Sequence, residues 1–230
     1  TQLSWGANKK RGLKKFIFTK NYQEQKTKFK FINSNKILLI LYSFNETEDR
    51  LPDGYLDNFS INKIIYRNTI KYLNILKKDL LIKNDIKALQ LTRFPILKNS
   101  IKKNYKNIKF MGLEKPFKKV IFNYNLSIHF FIGTPFFESI YLNRPTIVIF
   151  NPKVNLKFDK KFKFFLKRFK ENQMCFDNPI DAAKFVNENY DNLNEWWNHP
   201  KRQKILDEFC NFFCRRPEVL EKEFECINKI

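Results

Sequence analysis

The familiar phosphate-binding signatures are missing from this sequence. It has no Walker loop and no G-x-G-x-x-G, and only five glycines in 230 residues from which to build one. H-E-x-x-H and G-x-S-x-G are absent as well. The two histidines, His129 and His199, argue against a histidine-built metal centre. The four cysteines (Cys175, Cys210, Cys214, Cys226) contain no C-x-x-C pair. They read as buried thiols of a reducing compartment. No apolar run reaches the ~20 residues of a membrane span, and no signal peptide is visible. The chain opens at Thr1 without a methionine, so an incomplete chain is expected.

What the sequence does have is positive charge, +21 in formal terms. Basic surfaces attract phosphate, which invites a nucleic-acid reading. The lysines, however, are scattered along the whole chain, and Lys, Asn, Ile and Phe are abundant together, as AT-rich coding DNA favours. Nucleic acid is therefore not the expected partner. A basic surface for anionic lipid or for a phosphorylated substrate stays open.

The stretch Leu126 to Pro152 organises the rest. The apolar run Ile128 to Ile132 ends on Gly133-Thr134. A helical segment follows, with Phe136, Phe137, Ile140 and Tyr141 three to four apart, and the turn Leu142-Asn143-Arg144-Pro145 leads to a second apolar run, Thr146 to Phe150. This is a βαβ unit, whose parallel strands belong inside a covered sheet. Free N–H groups and the helix dipole at the first strand-to-helix turn favour an anion. Gly133 allows close approach, Thr134 can cap the helix or bind a phosphate oxygen, and Glu138 lies one turn along. His129, within an apolar strand, reads as a core histidine.

Upstream, Lys36 to Phe44 is a central strand, and a polar loop after it carries Arg50, either a ligand or a solvated arginine. Ile61 to Leu81 has helical periodicity. Asp85 to Phe94 is a second strand with Arg93 near its carboxyl end, Ile96 to Tyr105 a basic helix, and Ile108 to Met111 a third strand. The alternation points to a doubly wound α/β sheet. After Pro152 comes a basic amphipathic stretch with Phe158, Phe162, Phe165, Leu166 and Phe169. It either lies on an anionic membrane or packs its aromatic side inward. Met174 to Phe176 is a short strand, a helix starts at Pro179, and Trp196 and Trp197 anchor a helical tail.

Gly133, Thr134, Glu138, Arg93 and Arg50 together suit a nucleotide phosphate, with the glutamate for ribose hydroxyls. The order Gly133-Thr134-x-x-x-Glu138 and then Asn143-x-Pro145-Thr146-Ile147 resembles the donor-side motif of GT-B glycosyltransferases. More narrowly, the chain resembles a family of transferases encoded in bacterial surface-carbohydrate clusters. The family's motifs occur in order as Ser4-Trp5-Gly6, Arg50-Leu51-Pro52-Asp53-Gly54, Thr134 to Ile147, Asn151-Pro152, Pro179 to Ala183, and Trp196-Trp197 with Gln203 and Phe209. Ala7 stands where the family has a second tryptophan, and Pro135 tightens the helix start, a position that tolerates proline.

The resemblance implies a Rossmann-like, C-terminal donor-binding domain over 36–192. It is preceded by a linker, 1–35, left from an N-terminal acceptor domain, and followed by a helical tail, 193–230. It marks Arg50, Arg93, Gly133, Thr134, Glu138 and Asn143 as the donor site, with a nucleotide-sugar as substrate and no metal or other cofactor. The implied acceptor is a glycan or lipid-linked sugar of surface polysaccharide or lipopolysaccharide. The implied location is the bacterial cytoplasm, with peripheral contact to an anionic inner membrane through 157–170. The competing class is a non-catalytic basic module that binds anionic lipid or nucleic acid.

Overall fold

The computed structural model describes residues 3–4, 14–15, 29–31, 36–41, 58–76, 85–90, 95–111, 117–150, 158 and 160–214. Two short strands, β1 (Leu3–Ser4) and β2 (Lys14–Lys15), pair in parallel with each other. The main sheet then begins with β3 (Lys36–Leu41), whose residues Ile37 to Leu41 are at most 1% exposed. Helix α1 (Asn58–Ile75) leads to β4 (Asp85–Gln90), α2 (Pro95–Asn104) to β5 (Lys109–Met111), and α3 (Phe117–Val120) with a short 3₁₀ turn to β6 (Leu126–His129). Helix α4 (Thr134–Tyr141), β7 (Thr146–Ile149), α5 (Lys160–Glu171) and β8 (Cys175–Phe176) complete the sheet, and α6 (Pro179–Asn189), α7 (Leu193–Asn198) and α8 (Pro200–Phe213) close the chain.

All six strands of the main sheet are parallel, in the order β5-β4-β3-β6-β7-β8. The chain starts in the middle, winds outward to β5, returns to the centre at β6 and winds out the other way. This is the Rossmann order, and its topological switch point lies between β3 and β6. Along β6 the period-two alternation shows how both faces are covered. Ser127 and His129 point toward α4, where both meet a network with Ser139, whereas the Phe130 ring packs edge-on against Tyr72 of α1 at 5.7 Å. Strands buried on both sides read as continuous apolar runs, hence KILLIL and TIVI.

Helices α4, α5 and α8 are held together by phenylalanines. The Phe209 ring is fully buried and lies 4.9 to 6.4 Å, centroid to centroid, from Phe213, Phe169, Phe165, Phe137, Phe162 and Phe136. The aromatic side of the basic helix α5 is thus turned inward, which removes that face from any membrane. Across the sheet, the Asn187 side chain of α6 donates to the Ile75 carbonyl at the end of α1 at 2.9 Å.

Within segment 1–35, Phe29 is 1% exposed and its carbonyl accepts from Asn198 of α7 at 2.9 Å. The run expected to be strand through Ile132 stops at His129, the last residue of β6 in register with β3 and β7. Residues 42–44 and 91–94, expected to continue two strands, lie outside the described residues. Among the described residues no helix is long and apolar enough to cross a membrane.

Phe209→Ala should cost about 3–5 kcal/mol, the usual loss for a fully buried phenylalanine. Phe164→Ala, at 49% exposure, should change stability by less than ~0.5 kcal/mol. Denaturant melts of the two variants check the contrast.

Candidate functional site

The sheet brings the opening motif to its switch point. β3 and β6 pair in parallel with Ile40 level with His129, so β6 delivers its chain to the carboxyl edge beside β3. Loops at that edge hold ligands in sheets of this order. β4 ends at the same edge, Gln90 being level with Leu41. Arg93, three residues beyond Gln90, and Arg50, in the segment after β3, themselves lie outside the described residues.

Gly133 is the N-cap of α4, with φ −145° and ψ −172°, an extended backbone open to any residue. Its carbonyl accepts from the Phe136 and Phe137 amides at 3.0 and 3.4 Å. Thr134 is the first helical residue, one past the N-cap position that Gly133 fills. Pro135 has no N–H to give. What the turn offers an anion is therefore the Gly133 and Thr134 amides, with the dipole of α4 behind them.

Glu138 stands one turn along α4 with its side chain 13% exposed. Burial raises its pKa, and Lys118 of α3, with Nζ 3.8 Å from Oε1, pulls it back down. Lys118 was not among the residues singled out from sequence. It lies twenty positions before Glu138, on a helix of one turn, and no local spacing connects the two.

Beneath α4 lies a buried polar network. His129 Nε2 is 3.2 Å from both Ser127 Oγ and Ser139 Oγ. Ser139 donates to the Pro135 carbonyl at 2.8 Å, Thr146 to the Arg144 carbonyl at 2.7 Å, and Ser127 to the Pro145 carbonyl at 3.2 Å. With the hydroxyl protons directed at carbonyls, the network assigns the imidazole proton to Nε2. Nδ1 then has a bare lone pair, and no partner reaches it among the described residues. Burial alone drives the His129 pKa down to about 3. It is a neutral core histidine, as its strand position suggests, with one nitrogen satisfied and the other not.

Asn143 is at the opposite end of α4, roughly 12 Å from its first turn by helix length. Its φ of 50° is left-handed, a conformation asparagine tolerates. The Asn143 amide donates to the Ile140 carbonyl and the Arg144 amide to the Ser139 carbonyl, the two bonds of a Schellman cap. Trp197 Nε1 donates to Asn143 Oδ1 at 2.9 Å, and Gln203 Nε2 donates to the same oxygen at 3.2 Å. Asn143 is 1% exposed. Its place is a latch between α4 and the helical tail, which sets it apart from Gly133, Thr134 and Glu138.

Fold and site thus define a doubly wound α/β domain with an anion-competent turn and a half-buried carboxylate at its switch point. The model of the LIC12162 family transferase matches residues 2–225, and the chain belongs to that transferase family. Two solved structures show likeness. A variant of the wall teichoic acid polymerase TagF is 15% identical, with 91% of this chain and 48% of that chain covered at a TM-score of 0.43. TarM is 14% identical, with 85% and 36% covered at 0.47. The chain spans half or less of the length of these proteins. No curated protein matches the sequence.

Two predictions follow from the buried groups. Asn143→Ala must hold alanine at a left-handed φ and removes the Oδ1 acceptor, while Trp197 Nε1 keeps its bond to the carbonyl of residue 143 and Gln203 Nε2 its bond to the Trp197 carbonyl, a loss of about 1–3 kcal/mol. Asn143→Gly keeps the backbone conformation and should lose only the hydrogen-bond part. Equal melting points for the two variants would remove the backbone argument.

The second concerns pH. The folded-state pKa of His129 lies below the ordinary value near 6.5, so the unfolded chain binds the proton first. Stability is then full above pH ~6.5 and falls as pH drops toward about 3, by up to ~1.4 kcal/mol per unit. Urea melts between pH 7.5 and 5, above the carboxylate range, should show the slope, and His129→Asn should flatten it.

Proposed function

We propose that this chain is the donor-binding half of a GT-B-type glycosyltransferase that takes its nucleotide-sugar at the β3/β6 switch point. The observation that carries the reading is the meeting, at that point, of the Gly133-Thr134 turn with Glu138 on the helix that starts there. Membership of a transferase family supports the class of activity. The donor diphosphate takes the Gly133 and Thr134 amides, Arg50 and Arg93 add charge from neighbouring strand ends, and Glu138 accepts from the ribose hydroxyls. Lys118 adds a further cation beside Glu138, placed to follow either the carboxylate or the phosphate.

In the transfer an acceptor hydroxyl attacks the anomeric carbon, the bond from that carbon to the phosphate oxygen breaks, and the diphosphate leaves with the electron pair. Preorganised amides and cations lower the barrier by stabilising that developing charge. The acceptor is a glycan or lipid-linked sugar of surface polysaccharide or lipopolysaccharide. Its hydroxyl and base are assigned, through the resemblance, to an N-terminal domain, so residues 1–230 alone bind donor without transferring sugar. The setting is the cytoplasmic side of a bacterial membrane.

Calorimetric titration with nucleoside diphosphates and their sugar esters is the test. Glu138→Ala should weaken binding by about 1.5–3 kcal/mol, roughly ten- to a hundredfold, with an unchanged melting point. Unaltered affinity in a folded variant rejects the assignment of Glu138. Salt-sensitive binding of oligonucleotides with no response to nucleotides rejects the whole reading in favour of a polyanion-binding module.

A further inference from the structure

Helix α5 carries six cations, Lys160, Lys161, Lys163, Lys167, Arg168 and Lys170, against one acid, Glu171. At 3.6 residues per turn, Lys160, Phe164, Lys167 and Glu171 fall on one line down the helix. That line faces solvent, opposite the buried Phe162, Phe165, Leu166 and Phe169. Phe164 therefore sits at the centre of the exposed face of a helix that is otherwise strictly amphipathic, and it is 49% exposed. Cations surround it: Lys161 Nζ lies 5.7 Å and the Arg168 guanidinium 5.3 Å from its ring centroid.

Part of this charge is answered within the fold. Lys167 pairs with Glu171 at 3.9 Å, Lys170 with Asp177 at 2.7 Å, and Arg168 with Glu208 of α8. Lys161 also lies within the field of Glu208. Lys160 and Lys163, both exposed, form no ion pair among the described residues. The surplus is concentrated in the first turn, around the exposed ring.

We infer that this face of α5 docks the protein on an anionic lipid bilayer, with Phe164 entering the headgroup layer and Lys160 and Lys163 meeting lipid phosphates. The ring selects this occupant. Lysines alone fit any polyanion, but an aromatic side chain set among them gains from an interface that is apolar just beneath its charge. Topology gives the docking a consequence. β7 runs parallel to β6, so the chain leaves β7 at the carboxyl edge, and α5 starts on the edge that holds the Thr134 turn. On the proposed function, the docked helix then begins at the edge that holds the donor site. The docking itself does not depend on that reading.

The test is vesicle co-sedimentation of the full chain at low salt. Vesicles of phosphatidylcholine with one quarter phosphatidylglycerol should retain the protein, and pure phosphatidylcholine should not. Lys160→Glu with Lys163→Glu should reduce partitioning at least about tenfold, as two reversed charges near an anionic surface require. Phe164→Ser should reduce it severalfold with the charge intact. In Phe164→Trp, brominated lipids should quench the added fluorescence. Nucleotide titration of the same variants should be unchanged, which separates this proposal from the donor site. Equal binding to neutral vesicles, undiminished binding of the charge-reversed variant, or oligonucleotide binding that Lys160→Glu and Lys163→Glu abolish while vesicles stay unbound would each overturn it.

Discussion

The parallel pairing of β3 with β6 is the constraint on which this structure depends. The two strands are neighbours in the sheet but separated in sequence by two strand-helix units, whose strands β4 and β5 lie on the far side of β3. The pairing creates the one place in the sheet where successive connections leave in opposite directions. The crevice at such a point is a property of winding order, independent of side chains. Here the order brings an amide-bearing turn and a carboxylate into that crevice although the chain has almost no glycine.

The short helix α4 is fixed in three ways. Its amino end is set by the Gly133 carbonyl and its carboxyl end by the Schellman cap at Asn143. Along its length, Phe136 and Phe137 pack on Phe209, while Ser139 bonds into the His129 network. A helix of eight residues has little stability of its own, and tertiary contacts supply the rest. The same Schellman geometry ends α5, where Gln173 takes a φ of 60° with its amide on the Lys170 carbonyl and the Met174 amide on the Phe169 carbonyl. Two strand-entering turns are thus built alike, one feeding β7 and the other the edge strand β8.

Much of this fold could be read from the chain because both faces of the sheet are covered. Full burial turns strands into unbroken apolar runs, and the runs beginning at Lys36 and Thr146 fall on β3 and β7. Periodicity placed α4 and α5 and marked the apolar face of each, while for α5 the choice between membrane and core was made by packing on Phe209. What the chain hid were features decided by partners far away. β6 stops pairing at His129, although Phe130 to Ile132 are just as apolar and β3 and β7 each run one residue further, to Leu41 and Ile149. Asn143 looked like part of the site because it stands beside the site's motif, yet its hydrogen-bond partners lie 54 and 60 positions further on. Lys118 escaped for the same reason.

The latch also changes how the family motif is understood. Asn143, Trp197 and Gln203 are widely separated in sequence, and the structure joins them at one buried oxygen. Phe209, from the same tail, packs on the two phenylalanines of α4. The tail therefore grips the helix that carries Glu138 at its far end and along its buried side. A side chain can hold a ligand hydroxyl only if its backbone stays within a fraction of an ångström, and supporting contacts outside the site provide that precision. A change at Trp197 or Phe209 thus acts on the site through the position of α4 while touching no ligand, and motifs that look like scattered binding residues become one device for holding a single helix still.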